Sequence, residues 1–190
     1  MIYSEKIQKA IRFSIRTHDV YQKQLRKGKT ISYITHPLTV GLMLARVGAD
    51  EDVIAAGILH DTIEDSMNEK KVTKEMLAER FGERVADIVD SVTEQDKALP
   101  WEERKRGALE HIAHFSHDSL LVKSADVLSN TTELIYDIGE RGHAVFDHFS
   151  ASKERTLGHY ARVIETILQK WPENPLAEDL RVVAKDLEAV

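Results

Sequence analysis

Cysteine is absent from the 190 residues. That excludes disulfides, thiolate nucleophiles and cysteine-ligated zinc or iron–sulfur centres, and it fits a reducing compartment. Proline (four) and glycine (nine) are scarce and aromatics make up only 6%, which disfavours a many-stranded β fold and favours helices. No stretch approaches the roughly 20 apolar residues of a membrane span. The opening MIYSEKIQKAIRF lacks a long apolar run and a small-residue cleavage site, so no signal peptide is read and a cytoplasmic location is expected. Excess positive charge is also missing: the formal net charge is −6. Such a chain is a poor general binder of nucleic acid, yet it can hold an anionic small molecule where a local basic cluster or a metal offsets the field.

What remains is an ordinary globular balance, 42% hydrophobic and 31% charged, enough chain for one domain with its own core. Helical spacing dominates. Ile7, Ile11 and Ile15 mark an opening helix from about Ser4 to Gln24, followed by a basic-headed loop, LRKGKTISYIT. A second helix starts near His36, with Pro37 at a favoured first-turn position, and stops at Gly48. A third begins near Asp50 and runs on through DVIAAGILHDTIED. A helix opened by Thr73, an interruption at Gly82, a helix through VADIVDSVT and another through WEERKRGALEHIAHF follow. Then come SLLVKSADVLSNTTELIYDI, breaks at Gly139 and Gly142, and two closing helices over about Ser150–Trp171 and from Leu176 to the end. The pattern reads as a single all-α domain over residues 1–190.

The chemistry concentrates in GILHDTIED, residues 57–65. A helix interior rarely places two ionisable groups, His60 and Asp61, beside Ile58 and Leu59 without a use for them. On a continuous helix Glu64 lies one turn beyond both, and Asp65 one turn beyond Asp61. Three carboxylates on one side of two turns repel one another, and a cation relieves the repulsion; a solvated helix end is the alternative. Asp126 falls inside an apolar run with Leu121, Val122, Ala125 and Leu128, and needs a partner there. Lys123, one turn back, is one; a metal is the other. His36 in YITHPL serves either as a helix-start packing residue or as a further ligand.

These segments resemble the HD phosphohydrolases: His36 in ITHPL, His60-Asp61 in ILHDTIED and Asp126 in a KxAD segment. More closely the chain resembles the RelA/SpoT-type alarmone hydrolases, and among them the small stand-alone hydrolases without a synthetase. The likeness runs from about Arg12 to Asp137 and includes His18 in FSIRTH, Arg26-Lys27, FGERVADIVDSVT, ERK at Glu103 to Lys105, and Asn130 after VKSAD. The helices over residues 150–190 match only loosely.

The resemblance implies an HD-domain helical bundle holding one divalent cation on His36, His60, Asp61 and Asp126. The family usually takes manganese, with iron, cobalt, magnesium or zinc as the other candidates. Two imidazoles and two carboxylates leave room for water on a six-coordinate ion, which suits Mn²⁺ or Fe²⁺ better than a closed structural zinc site. By the same resemblance Glu64 and Asp65 handle protons, Arg26 and Lys27 neutralise phosphate, and Asn130 contacts a nucleoside sugar. The implied activity is removal of the 3′-pyrophosphate of guanosine tetra- or pentaphosphate, as in the stringent response. An HD enzyme acting on another phosphorylated nucleotide, or a non-catalytic nucleotide-binding module, are the alternatives. Val127, Ser129 and Thr132 depart from the alarmone pattern, which has basic or aromatic residues there, so the nucleotide pocket is where the chain differs. His18 serves either as support behind the site or as packing. His111, His114 and His117 read as a solvated helix face, and Trp101 and Trp171 as packing residues.

Overall fold

A computed structural model describes residues 4–94 and 99–190; the opening stretch read from Met1 is therefore described from Ser4 onward. The described residues form helices and no strand, with one isolated bridge between Leu25 and Ser32. No helix among them is long and apolar enough to cross a membrane. The chain divides into two compact units, up to Thr93 and from Glu94.

In the first unit α1 spans Glu5–Ile15, with the Ser4 hydroxyl accepting from the Ile7 amide as N-cap. The expected single helix to Gln24 is not formed. From Arg16 to Tyr21 the turn widens to a π-helix, closed by the Gln22 amide donating to the Thr17 carbonyl at 3.2 Å. Helix α2 spans Thr35–Arg46 and α3 spans Glu51–Leu59, capped by the Asp50 carboxylate on the Asp52 and Val53 amides. Every residue of α3 from Val53 to Leu59 is buried, because α3 packs against α1, α2 and α6 (Glu83–Val92) at once. A helix apolar on all sides belongs at the centre of its unit.

The expected run of α3 through GILHDTIED is also corrected. It stops at Leu59, and a four-residue helix, α4 (Thr62–Asp65), starts anew after His60 and Asp61. Two side chains bond the carbonyls of the last turn of α3. His60 Nδ1 binds the Gly57 oxygen at 2.8 Å, and the Thr62 hydroxyl donates to the Leu59 oxygen at 2.7 Å. Side chain-to-backbone bonds of this kind compete with the helical ladder. Helix α5 (Lys74–Phe81) has its Thr73 cap as expected, and Gly82, at φ 97°, separates it from α6.

In the second unit α7 spans Trp101–Ile112 and the long α8 spans His117–Arg141. Gly139 does not break α8, since a helix tolerates an interior glycine at a cost of about 1 kcal/mol; Gly142, at φ 63°, ends it. Helices α9 (Lys153–Lys170) and α10 (Ala177–Ala189) pack on α8, and Asn174 between them donates to the Ser124 hydroxyl at 2.9 Å. His111, His114 and His117 are exposed as expected, but α7 ends at Ile112, so they share no single helix face. His117 instead stacks on Trp171, ring centroids 4.2 Å apart, and Trp101 packs edge-on against His159.

Helices α2 and α3 meet through two glycines. A Cβ on Gly57 would lie 2.2 Å from Leu44 Cδ1, and one on Gly41 would lie 2.6 Å from Ile58 Cγ1. Leu44 is fully buried and cannot swing away. Gly57→Ala is therefore expected to lower stability by about 1–3 kcal/mol through overpacking, read as a lower urea midpoint with an unchanged slope.

In the second unit, burial pushes the His159 imidazole down from its ordinary 6.5 to about 4; the positive charges of Lys105, Lys123 and Arg162 add to this and Glu94 opposes it. The folded state resists protonation there, so the unfolded chain binds that proton more tightly between about pH 6.5 and pH 4. His159 thus removes stability as pH falls through that window. The parent should lose more stability than His159→Gln between about pH 7 and pH 5, measured by chemical denaturation at both values.

Candidate metal centre

The sequence places His36 in the first turn of α2 and His60 at the end of α3, and the glycine contact brings these two helices close. The His36 and His60 Nε2 atoms face each other at 3.3 Å, both rings buried. Asp61 Oδ2 lies 3.0 Å from His60 Nε2 and 3.7 Å from His36 Nε2. His60 Nδ1 must donate to the Gly57 carbonyl, which leaves the lone pair of the neutral ring on Nε2, toward the other two groups. Two imidazole nitrogens and a carboxylate oxygen converging within 4 Å suit a divalent cation, and the bond to Gly57 is the outer-sphere support a ligating histidine uses. This His-His-Asp cluster could bind a metal ion.

Around it stand aromatic, basic and acidic side chains of the same unit. The Tyr33 hydroxyl donates to Asp61 Oδ2. His18, Tyr33, His36 and His60 form a row of rings with successive centroids 5.1, 5.7 and 5.1 Å apart. Arg26 lies over the Tyr33 ring at 5.4 Å, while Lys27 is exposed on the turn that Gly28 makes at φ 65°. Of the expected proton-handling pair, half-buried Glu64 sits within α4 and Asp65 ends it. Asp65 Oδ2 accepts from Gln24 Nε2 at 2.8 Å. Burial lowers the His18 imidazole below its ordinary value, although its bond to Gln24 and the charges of Asp61 and Asp65 act the other way. Tyr33 was visible only as a member of YITHP. Gln22 and Gln24 give no sign of this in the sequence, because polar residues in a short loop carry no periodic signal.

In the second unit Asp126 is buried on α8, and of its two expected partners the structure shows Lys123. Lys123 Nζ donates to Oδ2 and Asn130 Nδ2 to Oδ1, each at 2.7 Å. Asn130, expected at a nucleoside sugar, holds the Asp126 carboxylate in this structure. Val127 and Ser129 are buried and Thr132 is exposed. Glu94 gathers Arg104 at 2.7 Å and Lys105 at 2.5 Å. Burial raises the Glu94 carboxyl, but those two cations and Lys123 outweigh it and hold it below its usual range.

A family model described as HD domain matches residues 10–154. The chain belongs to the HD-domain family. An HD domain implies a divalent metal, in agreement with the donor set of His36, His60 and Asp61. Among relatives, this HD protein is 46% identical over 104 residues to a Danio rerio protein named guanosine-3′,5′-bis(diphosphate) 3′-pyrophosphohydrolase MESH1. That alignment covers 54% of this chain and 55% of the relative. The MESH1 of Xenopus tropicalis is 39% identical over 130 residues, covering 67% of this chain and 69% of the relative. Among solved structures, a metazoan SpoT ortholog described as hydrolysing ppGpp superposes with a TM-score of 0.79 at 24% identity, covering 99% and 98% of the two chains, and supports the all-α HD fold.

If the convergent atoms are ligands, His60→Ala and Asp61→Asn should each purify without stoichiometric metal while keeping the helical circular dichroism. Tyr33→Phe should keep the ion but bind it about 10-fold more weakly, since it removes only outer-sphere support. Elemental analysis and metal titration read both effects. Full metal content in either ligand variant excludes that residue from the coordination sphere.

Proposed function

We propose that this HD protein is a metal-dependent phosphohydrolase that removes the 3′-pyrophosphate of guanosine tetra- or pentaphosphate, giving GDP or GTP and pyrophosphate. The observation that carries it is the convergence of His36, His60 and Asp61, joined by relatives named for that hydrolysis. Asp126 is the fourth ligand in this reading, supported by its VKSAD motif and its burial on α8. Mn²⁺ is the proposed ion, since two imidazoles and two carboxylates match an open six-coordinate site.

When bound, the cation supplies positive charge to an attacking water and to a phosphoryl oxygen. The protein's own groups do the rest. Glu64 and Asp65 take the proton of the water as its oxygen bonds to phosphorus, and return a proton to the departing 3′-oxygen as the P–O bond breaks. Arg26, seated on the Tyr33 ring, and Lys27 pair with phosphate oxygens. Asn130 serves the nucleoside sugar. The substrate is a small nucleotide, with nucleic acid and membrane left out as partners and a cytoplasmic setting.

A second reading, another phosphorylated nucleotide as substrate, is favoured by one observation. Val127 and Ser129 are buried and Thr132 is uncharged, so three positions of α8 bring no cation to a pyrophosphate. The test is kcat/KM for guanosine tetraphosphate and for a nucleoside monophosphate with Mn²⁺, in the parent and in Arg26→Ala/Lys27→Ala. The proposal expects strong parental turnover of the tetraphosphate, weakened in the double variant by about 100-fold and less so for the monophosphate, because more charge is left unpaired. The double variant should retain its metal. Efficient monophosphate hydrolysis with no activity on the tetraphosphate overturns the alarmone reading and leaves the HD phosphohydrolase.

A further inference from the structure

His18 and Gln24 remain without a task in the reaction, yet their geometry is directional. The Gln24 side-chain oxygen lies 2.9 Å from His18 Nδ1, and its amide nitrogen donates to Asp65 Oδ2 at 2.8 Å. A carbonyl oxygen only accepts, so His18 Nδ1 carries the proton. The flipped amide would set its oxygen against the Asp65 carboxylate, acceptor against acceptor. The charge on Asp65 therefore fixes the Gln24 amide, and the amide fixes the His18 tautomer. Neither end can drift. His18 is fully buried, and the Gln24 backbone is bonded on both sides, its N–H to the His18 carbonyl at 2.9 Å and its carbonyl to the Tyr33 N–H at 2.8 Å.

The local backbone serves the same contact. The widened π-turn over Arg16–Tyr21 and Lys23 at φ 49° bring Gln22 and Gln24 to the same residue. The Gln22 side-chain amide donates to the Asp65 main-chain carbonyl, one of those a helix end leaves without a helical partner. Asp65 is thus held by its side chain and by its backbone from one short segment. A non-glycine residue at positive φ and a π-turn are costly features that persist where a function uses them.

We propose that His18 and Gln24 form a relay that positions the Asp65 carboxylate for proton handling: His18 Nδ1–H fixes the Gln24 amide, and the amide aims one oxygen of Asp65. The inference rests on the reading of Asp65 as a proton-handling group. In this reading both act through Asp65 rather than on substrate, as positioning residues, and their loss acts on kcat rather than on KM.

The experiment compares Gln24→Met, His18→Leu, His18→Asn and Asp65→Asn on guanosine tetraphosphate with Mn²⁺, with metal content and melting temperature recorded for each. Misplacing a catalytic group by about 1 Å can cost about 100-fold. Gln24→Met and His18→Leu are therefore expected to lower kcat by about 10- to 100-fold with KM within about twofold and metal retained. His18→Asn, whose amide N–H replaces Nδ1–H, is expected to recover most of that loss. Added to Asp65→Asn, Gln24→Met should cost nothing further, because the carboxylate it aims is already gone. Parental kcat in Gln24→Met alongside a crippled Asp65→Asn overturns the relay and leaves Asp65 in place. Equal losses from Gln24→Met in both backgrounds, or no recovery in His18→Asn, overturn it too, since the effect would then be structural. Parental turnover in Asp65→Asn itself removes the proton-handling reading, and the relay with it.

Discussion

The close approach of α2 and α3 is the constraint on which the site of the first unit depends. With a side chain at Gly41 or Gly57 the two helices could not lie where they do, since the added carbon would sit within 3 Å of Ile58 or Leu44. That approach brings Nε2 of His36 to 3.3 Å from Nε2 of His60. His60 turns the lone pair of Nε2 toward His36 and Asp61, a buried polar cluster that a cation would complete. Packing and chemistry are thus coupled: the apolar contact that stabilises the unit holds His36, His60 and Asp61 within 4 Å of one another.

The break between α3 and α4 has the same double character. His60 uses Nδ1 on the Gly57 carbonyl, and this bond both sets its tautomer and takes up a carbonyl of the last turn of α3. Asp61 then stands at a corner rather than along a helix face, where Tyr33 can reach it. Asp65 stands one turn on, its amide bonded to the Asp61 carbonyl at 2.9 Å. A short helix between two fixed ends offers a rigid mount for a carboxylate, while Gln22 and Gln24 supply the lateral support.

In the second unit the polar groups are arranged around charge pairs. Glu94 joins Arg104 and Lys105, and Asp126 joins Lys123 and Asn130. Carboxylates withdrawn from water, Asp126 buried and Glu94 half-buried, need compensation, and each has it from two donors. His159, by contrast, is kept neutral by burial beside those same cations.

The sequence by itself determined the fold class and the family of the protein and pointed to the histidines and carboxylates that converge in its first unit. Apolar spacing in α3, α6 and α8 reports burial directly, so the helices were legible to within a few residues. The ordered motifs around His36, His60-Asp61 and Asp126 marked the chemistry. The Ser4, Thr73 and Gly82 boundaries followed from cap and turn preferences. What only the tertiary structure decided is where the helices stop short of their periodicity and which loop residues serve the site. Periodicity records which face is apolar; it is blind to a histidine bonding a carbonyl three residues back. Nor can it pair Gln24 with Asp65 or Tyr33 with Asp61, because such bonds join residues distant along the chain and exist only once the helices between them have packed.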